Sequence, residues 1–143
     1  MTTRIRRLDS SVPLPSYQTP ESAGFDLAAS EDVHVPPGEV RLVPTGLVIE
    51  VPHGHFLGIF ARSSTPLRRG LMVANGVGVV DPDYAGPDDQ VLIEVVNFTR
   101  HEVVVKRGDR IAQGILIPTV QAHWEEGDTR QRSRGGFGST GSG

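Results

Sequence analysis

Residues 75–86 read Asn75-Gly76-Val77-Gly78-Val79-Val80-Asp81-Pro82-Asp83-Tyr84-Ala85-Gly86, with apolar residues leading in and out. Asn75-Gly76 predicts a two-residue β-hairpin turn, because both residue types tolerate positive φ. Pro82 lacks an N–H for pairing, so we expect the returning strand to end at Asp81. The stretch therefore predicts a carboxylate at the rim of a sheet, with the ring of Tyr84 close behind it. Such a rim suits a planar ligand, although an ordinary hairpin with acidic turn residues has the same pattern.

Composition limits the classes of protein to consider. The 143 residues fit one domain, and a net charge of −3 indicates no general affinity for nucleic acid. The chain has no apolar run of membrane-spanning length, and residues 1–20 lack the apolar core of a signal peptide. We therefore expect a soluble, cytoplasmic protein with no nucleic-acid or membrane partner. The absence of cysteine excludes disulfides, thiol catalysis and cysteine-bound zinc.

The spacing of turn residues predicts an all-β fold. Glycine (17 residues) and proline (11 residues) recur between short runs of Val, Ile and Leu, which is typical of a β-sandwich or barrel. The predicted strands are 5–8, 25–28, 33–35, 40–43, 47–51, 56–61, 91–97, 103–105 and 111–117. We expect strand 91–97 to pair with strand 103–105 across the turn between them.

A second informative stretch begins at Arg62 and continues as Ser63-Ser64-Thr65-Pro66. Thr65 suits an N-cap and Pro66 the first helical position, and Gly70 suits the end of a single helical turn. The start of that turn combines free N–H groups, two hydroxyls and a guanidinium, which are phosphate-binding donors. A capped turn with solvated arginines is the alternative.

Two polar residues interrupt apolar strands. Asp26 falls on the opposite face of its predicted strand from its apolar neighbours, which solvent exposure alone would explain. Gln113 shares a predicted face with Ile111, Ile115 and Ile117. Because a buried amide needs partners, Gln113 is either hydrogen-bonded within the core or turned toward a site.

The composition changes at Glu125. Residues 125–143 contain one large apolar residue, Phe137, so we expect a flexible glycine-rich arm after a β domain formed by residues 1–124. Residues 135–141 match G-x-G-x-x-G, but no strand precedes them and no helix can follow, which excludes a dinucleotide fold. With arginines upstream, the arm suits the wrapping of phosphates; an inert tail is the alternative.

Together these stretches resemble the trimeric dUTP pyrophosphatases (dUTPases), in the order of that family's five motifs and over nearly the whole chain. The matching stretches are Ala23-Gly24-Phe25-Asp26-Leu27-Ala28, Ala61-Arg62-Ser63-Ser64, residues 78–86, residues 107–113 and residues 132–141.

The resemblance implies a jelly-roll-like β domain that forms a homotrimer with shared active sites. One subunit would supply the predicted hairpin, a second the Arg-Ser-Ser turn and a third the C-terminal arm. The implied reaction is hydrolysis of dUTP to dUMP and pyrophosphate with Mg²⁺ on the triphosphate. Asp81 would orient and deprotonate the water that attacks the α-phosphorus, and Gln113 would hold a phosphate and help to orient that water.

The resemblance also assigns the contacts to substrate and metal. Uracil would lie in the hairpin, Tyr84 would pack on the sugar, Phe137 would stack over the base, and Asp26 would reach the metal through water. The implied substrate-binding residues are Arg62, Ser63, Ser64, Asn75, Gly78, Val79, Val80, Tyr84, Arg132, Phe137, Gly138, Ser139 and Thr140.

The sequence departs from the usual dUTPase pattern in places, and two other functions therefore stay open as alternatives. Pro87 stands where dUTPases usually carry an acidic residue, Asp88 or Asp89 being a substitute, and residues 86–97 are about three residues longer than usual. The dCTP deaminases, including bifunctional members, resemble the chain at the Arg-Ser-Ser turn and in residues 93–97, where Glu94 matches their catalytic Glu. Leu67 replaces an arginine of that branch, which favours the pyrophosphatase. A non-catalytic nucleotide-binding module is the third alternative.

Overall fold

A computed structural model describes residues 1–138 and contains almost only β-structure. Within that range the elements follow the chain as β1 (Ile5–Arg7), β2 (Phe25–Ala28), β3 (Val33–Val35), β4 (Val40–Pro44), β5 (Leu47–Ile49), β6 (His55–Ala61), α1 (Ser64–Arg69), β7 (Leu71–Val73), β8 (Gly78–Val80), β9 (Leu92–Asn97), β10 (Val103–Val105) and β11 (Arg110–Pro118). The predicted strands are confirmed, with ends that agree to within two residues.

The strands form two main sheets and two short pairs, all antiparallel. One sheet has the order β2-β11-β6-β8 and the other β4-β9-β7, and the short pairs are β1-β5 and β10-β3. The result is a jelly-roll-like β-sandwich, as the sequence predicts.

One contiguous apolar core fills the space between the sheets. Leu27 and Leu57 enter it from the four-stranded sheet, and Val43 and Ile93 enter it from the three-stranded sheet; all four are fully buried. Alternation of buried and exposed residues along these strands leaves each sheet one outward face. The candidate site residues of the β domain described below lie on the outward face of the four-stranded sheet and at its ends.

The predicted hairpin at Asn75-Gly76 is wrong. β7 pairs with β9 and β8 pairs with β6, so the two strands lie in different sheets. Gly76 has a φ of 76° but Asn75 keeps a negative φ, whereas the favoured hairpin turn needs positive φ at both positions. The N–H of Ala74 instead donates to the Glu94 carbonyl (2.8 Å). The turn therefore carries the chain from one layer of the sandwich to the other.

The predicted pairing of strand 91–97 with strand 103–105 is also wrong, because β9 pairs with β4 and β7 while β10 pairs with β3. Asn97, at the end of β9, organises the crossing between layers. Its buried amide donates to the carbonyls of Val35 (2.8 Å) and His101 (2.7 Å), and its Oδ1 accepts the N–H of Thr99 (2.8 Å).

The helical turn ends as predicted but begins differently. Gly70 has a left-handed φ of 68° at the C-cap, whereas the N-cap is Ser63 and not Thr65. Thr65 is fully buried, and its hydroxyl accepts the N–H of Arg62 (3.0 Å) and donates to the carbonyl of Ile111 (2.9 Å). Its side chain thus ties Arg62 to β11. In residues 1–138 no helix is long and apolar enough to cross a membrane.

We predict that Asn97→Ala lowers the free energy of unfolding by about 3 kcal/mol, because it leaves buried carbonyls and the Thr99 N–H without their partner. Chemical denaturation measures the change. Glu94→Ala, on the outward side of the same strand, is the matched control and should cost about 0.5 kcal/mol or less. A loss below about 1 kcal/mol for Asn97→Ala would contradict this role for the amide.

Candidate active site

The first part of the candidate site is a row across three strands. In the register of the four-stranded sheet, Gln113 of β11 lies opposite Asp26 of β2 on one side and Phe60 of β6 on the other. Directly opposite residues in antiparallel strands share a face, so all three point outward. Arg62 follows the end of β6 and reaches the same place. Three of the predicted site residues, Asp26, Arg62 and Gln113, are thus neighbours.

Asp26 is the centre of a charged group that we call the arginine cluster (Gln18, Asp26, Arg62 and Arg110). Arg62 Nε lies 2.9 Å from Asp26 Oδ1, while Arg110 Nη1 (3.3 Å) and Gln18 Nε2 (3.1 Å) contact Oδ2. Only 15% of the Asp26 side chain is exposed. One carboxylate between two guanidinium groups leaves an excess positive charge on a half-open surface, which suits an anion such as phosphate.

Gln113 is fixed by close packing. Its Nε2 donates to the carbonyl of Ala61 (3.1 Å), and a Cβ on Gly24 would stand 2.8 Å from its Oε1. A shift in the β2–β11 pairing between Arg110 and Ala112 places Ile111 in the core, so the prediction that Ile111 shares the face of Gln113 is wrong. Gln113 therefore does not lie in the core: its amide is hydrogen-bonded, but on the half-buried outward face that carries the arginine cluster.

Ser63 and Ser64 lie immediately beyond Arg62. Ser63 is exposed at the N-cap and makes no side-chain capping hydrogen bond, and Ser64 is the half-buried first residue of α1. Both residues therefore follow directly on Arg62 of the arginine cluster.

The second part of the candidate site is the segment 75–84, in which Asp81 directly follows the end of β8 at Val80. Val80 pairs with Leu57, so Asp81 lies beside the beginning of β6. Asp81 is exposed and borders a cleft of about 860 Å³ that His53 and Gln121 also line. The Tyr84 N–H donates to the Asp81 carbonyl (3.1 Å), which closes a turn around Pro82.

The other predicted residues of this segment differ in exposure. Asn75 and Val79 are exposed, and Val80 is buried. Gly78 packs so closely on β6 that a Cβ there would lie 2.9 Å from the Cβ of Ile59.

The two parts of the site are far apart within one chain. Asp81 lies beside Phe56, and Arg62 follows Phe56 by six positions along β6, which at strand spacing is about 20 Å. The cleft at Asp81 is separate from a smaller cavity, of about 240 Å³, that Asp26 and Arg110 line. One chain therefore does not bring Asp81 together with Arg62, Gln113 and Asp26.

The third part, the C-terminal arm, leaves the domain after β11. The N–H of Thr119 donates to the carbonyl of Gly54 (2.8 Å), and every residue from 118 to 134 is exposed, Val120 and Trp124 by 93% each. Arg132, Phe137 and Gly138 are exposed too. Ser139 and Thr140, also predicted to bind substrate, lie outside the described residues.

Two members of the arginine cluster were not predicted from the sequence. Arg110 belongs to the fourth motif, which was a usable signal, whereas Gln18 lies in an irregular proline-rich stretch that offers none. No group of three or more His, Asp or Glu side chains placed to hold a metal occurs in residues 1–138. Both oxygens of Asp26 are already bound by the cluster, so a metal there would contact it through water or through the ligand.

Comparison with known proteins identifies a family. A family model described as dUTPase matches residues 10–141. A deoxyuridine 5'-triphosphate nucleotidohydrolase of Lactococcus lactis is 40% identical over 136 residues, covering 93% of this chain and 91% of the relative. The enzyme of that name from Nautilia profundicola is 39% identical over 144 residues and 99% of both chains.

Solved structures give the same fold. The dUTPase from Streptococcus mutans aligns with a TM-score of 0.76 at 34% identity, over 82% of this chain and 94% of that one. The dUTPase of Staphylococcus bacteriophage 80alpha with dUPNHPP aligns with a TM-score of 0.86 over 98% of both chains, at 20% identity. A mutant dUTPase from phage phi11 of S. aureus, in which a structural Mg(II) ion is coordinated, aligns at 0.80 and 18% identity, over 91% of this chain and 99% of that one.

Proposed function

The chain belongs to the dUTPase family, and on that premise we propose that it hydrolyses dUTP to dUMP and pyrophosphate. The observation that carries the proposal is the family match over residues 10–141, which includes all five motif stretches. The reaction would keep uracil out of DNA and supply dUMP for thymidylate synthesis. We place it in the cytoplasm.

The proposed chemistry is attack of water on the α-phosphorus. Asp81 orients the water and takes its proton, a P–O bond forms to the water oxygen, and the bond from the α-phosphorus to the bridging oxygen breaks to release pyrophosphate. Because a carboxylate is a weak base at neutral pH, most of the acceleration comes from positioning and from stabilising charge. Gln113 holds a phosphate oxygen and helps to orient the water.

The triphosphate lies on the arginine cluster. Arg62 and the hydroxyls of Ser63 and Ser64 bind its oxygens, and Arg132 with the arm's residues 138–140 closes over them. The excess positive charge of the cluster supports this assignment. Segment 75–84 receives uracil and deoxyribose, with the Asn75 side chain on the base and Tyr84 on the sugar, and Phe137 stacks on the base.

The residues present fit Mg²⁺ carried by the substrate. Mg²⁺ usually binds through one or two carboxylates plus substrate phosphates and retains several waters, so it needs no protein cage. Asp26 would hold it through water, since Arg62, Arg110 and Gln18 already occupy its oxygens. When bound, the ion neutralises charge on the triphosphate and on the departing pyrophosphate.

We propose that the active enzyme is a homotrimer with shared sites. The separation of about 20 Å between Asp81 and Arg62 within one chain supports sites built from two subunits. Away from Asp26 and the arginine cluster, the outward face that carries Gln113 is apolar, and such a surface favours burial against another copy. Its apolar members are Phe56, Phe60, Val79, Ile115 and Ile117. The arm of a third subunit completes each site.

No observation favours deamination of dCTP. Glu94, the residue that would carry it, lies half-buried on β9 opposite Leu42, on the outward face of the other sheet from Gln113 and Asp26. Simple nucleotide binding without turnover is separated from catalysis by the assay below.

We expect the purified chain with Mg²⁺ to release pyrophosphate and dUMP from dUTP, at a much higher rate than from dTTP or dCTP. Asp81→Asn should still bind dUTP but lower kcat by about 10³-fold, the usual contribution of a positioned base. Pyrophosphate release measures turnover, and calorimetry with a non-hydrolysable analogue measures binding. Ammonia release from dCTP would support the deaminase, and binding without product from the unmodified chain would contradict an enzyme.

Mixing two inactive variants tests the shared sites. Asp81→Asn and Arg62→Ala chains, unfolded together and refolded at equal amounts, should recover about a quarter of normal activity. A site is active only when the subunit that supplies Asp81 and the different subunit that supplies Arg62 both carry the intact residue, and each condition holds in half of the sites. The control mixes Asp81→Asn with a chain carrying both substitutions, where we expect no recovery. Sites built within one subunit would give no recovery in either mixture.

Removal of residues 135–143 tests the arm. We expect kcat/KM for dUTP to fall by about 10²-fold or more, since phosphate contacts and the Phe137 ring are lost. The thermal midpoint should change by no more than about 2 °C, because the exposed arm contributes little burial. An arm ending at Gly141 serves as the control. Full activity of the shorter chain would show that the arm does not close the site.

A further inference from the structure

The chain after Tyr84 and Ala85 forms a small braced turn, which we call the 86–90 turn (Gly86, Pro87, Asp88, Asp89 and Gln90). The Asp89 N–H donates to the Gly86 carbonyl (3.0 Å), and the Gly86 N–H donates to Asp89 Oδ2 (2.9 Å). Pro87 stands at the second position of this four-residue turn, where its fixed φ is favoured. A backbone bond and a side-chain bond therefore close the turn from both ends.

The far end of the turn is anchored to buried structure. Gln90 Oε1 accepts the N–H of Gly46 (2.9 Å). The next residue, Val91, donates its N–H to the carbonyl of Leu47 (2.7 Å). The fully buried Thr45 donates its hydroxyl to the Val91 carbonyl (2.7 Å). The main chain at Gln90 is consequently held against the connection between β4 and β5.

The Tyr84 hydroxyl donates to the backbone carbonyl of Gln90 (3.0 Å). The tyrosine is 39% exposed, and its own N–H is tied to Asp81. Both ends of Tyr84 are thus fixed: the backbone by the turn at Asp81 and the hydroxyl by the 86–90 turn. A ring held in this way can exclude a substituent that a mobile ring would accommodate.

We propose that Asp89 and Gln90 are positioning residues for Tyr84, and that the 86–90 turn sets how strongly the enzyme prefers deoxyribose to ribose. The inference rests on the proposed function, in which Tyr84 packs on the sugar of dUTP. Asp89 closes the turn and Gln90 anchors it, so the carbonyl that receives the tyrosine hydroxyl stays in place. Neither side chain touches the substrate.

Asp89→Ala tests the proposal through the ratio of kcat/KM for dUTP to kcat/KM for UTP, both measured by pyrophosphate release. We expect the ratio to fall about tenfold, the size of one lost hydrogen bond, mainly because UTP becomes a better substrate. Asp89→Asn keeps an oxygen for the Gly86 N–H and should restore most of the ratio. Gln90→Ala releases the other anchor and should lower the ratio in the same direction.

Asp88→Ala is the matched control. It removes the same charge as Asp89→Ala from the neighbouring position, and the Asp88 side chain makes no hydrogen bond in residues 1–138. An equal fall for Asp88→Ala, or an unchanged ratio for both Asp89→Ala and Gln90→Ala, would overturn the proposal. Tyr84→Ala distinguishes the two levels of failure. If it abolishes the preference while the turn variants do not, only the positioning role fails; if it leaves the preference intact, the proposed sugar contact fails as well.

Discussion

The pairing of β11 with both β2 and β6 is the constraint on which the site depends. It sets Gln113 between Asp26 and Phe60, and it brings the chain after β6 to the same end of the sheet. The same strand β6 pairs with β8 at its other end, which fixes Asp81 there. A strand is extended and rises about 3.3 Å per residue, so the number of residues in it fixes the distance between its two ends. A β6 of seven residues therefore separates Asp81 from Arg62 in every copy of the chain.

Local patterns in the sequence predicted the elements well and their partners poorly. Gly70, at a left-handed φ, was recognisable as a helix end, and the alternation around Asp26 placed that residue on an outward face. Asn75-Gly76 looked like a hairpin because residue types report the local turn and not which sheet each strand joins. β7 instead pairs with β9, a strand about twenty residues further along the chain, and no short-range sequence rule predicts that pairing.

The site shows the same division. Asp26, Arg62 and Gln113 were assigned by resemblance to a family, and the register of the sheet brings them together. Gln18 could not be found from the sequence, because it contacts Asp26 from an irregular segment whose path depends on packing. The role of Thr65 was misjudged for a related reason. Its hydroxyl can serve a helix N-terminus or a neighbouring strand, and burial against β11 favours the strand.

The positions of Asp26 and of the arm limit the repulsion between positively charged side chains on this surface. With Asp26 absent, Arg62 and Arg110 would face each other, and their repulsion would disperse the groups proposed to hold the triphosphate. With Asp26 present the two arginines converge, and the excess charge is still positive. A domain that carried the arm's arginines permanently on this surface would concentrate still more positive charge there. Arg132 and Arg134 instead lie on an exposed segment. In the proposed function that concentration of charge would wait until the triphosphate supplies the opposing charge, and the ordering of the arm would be coupled to the presence of substrate.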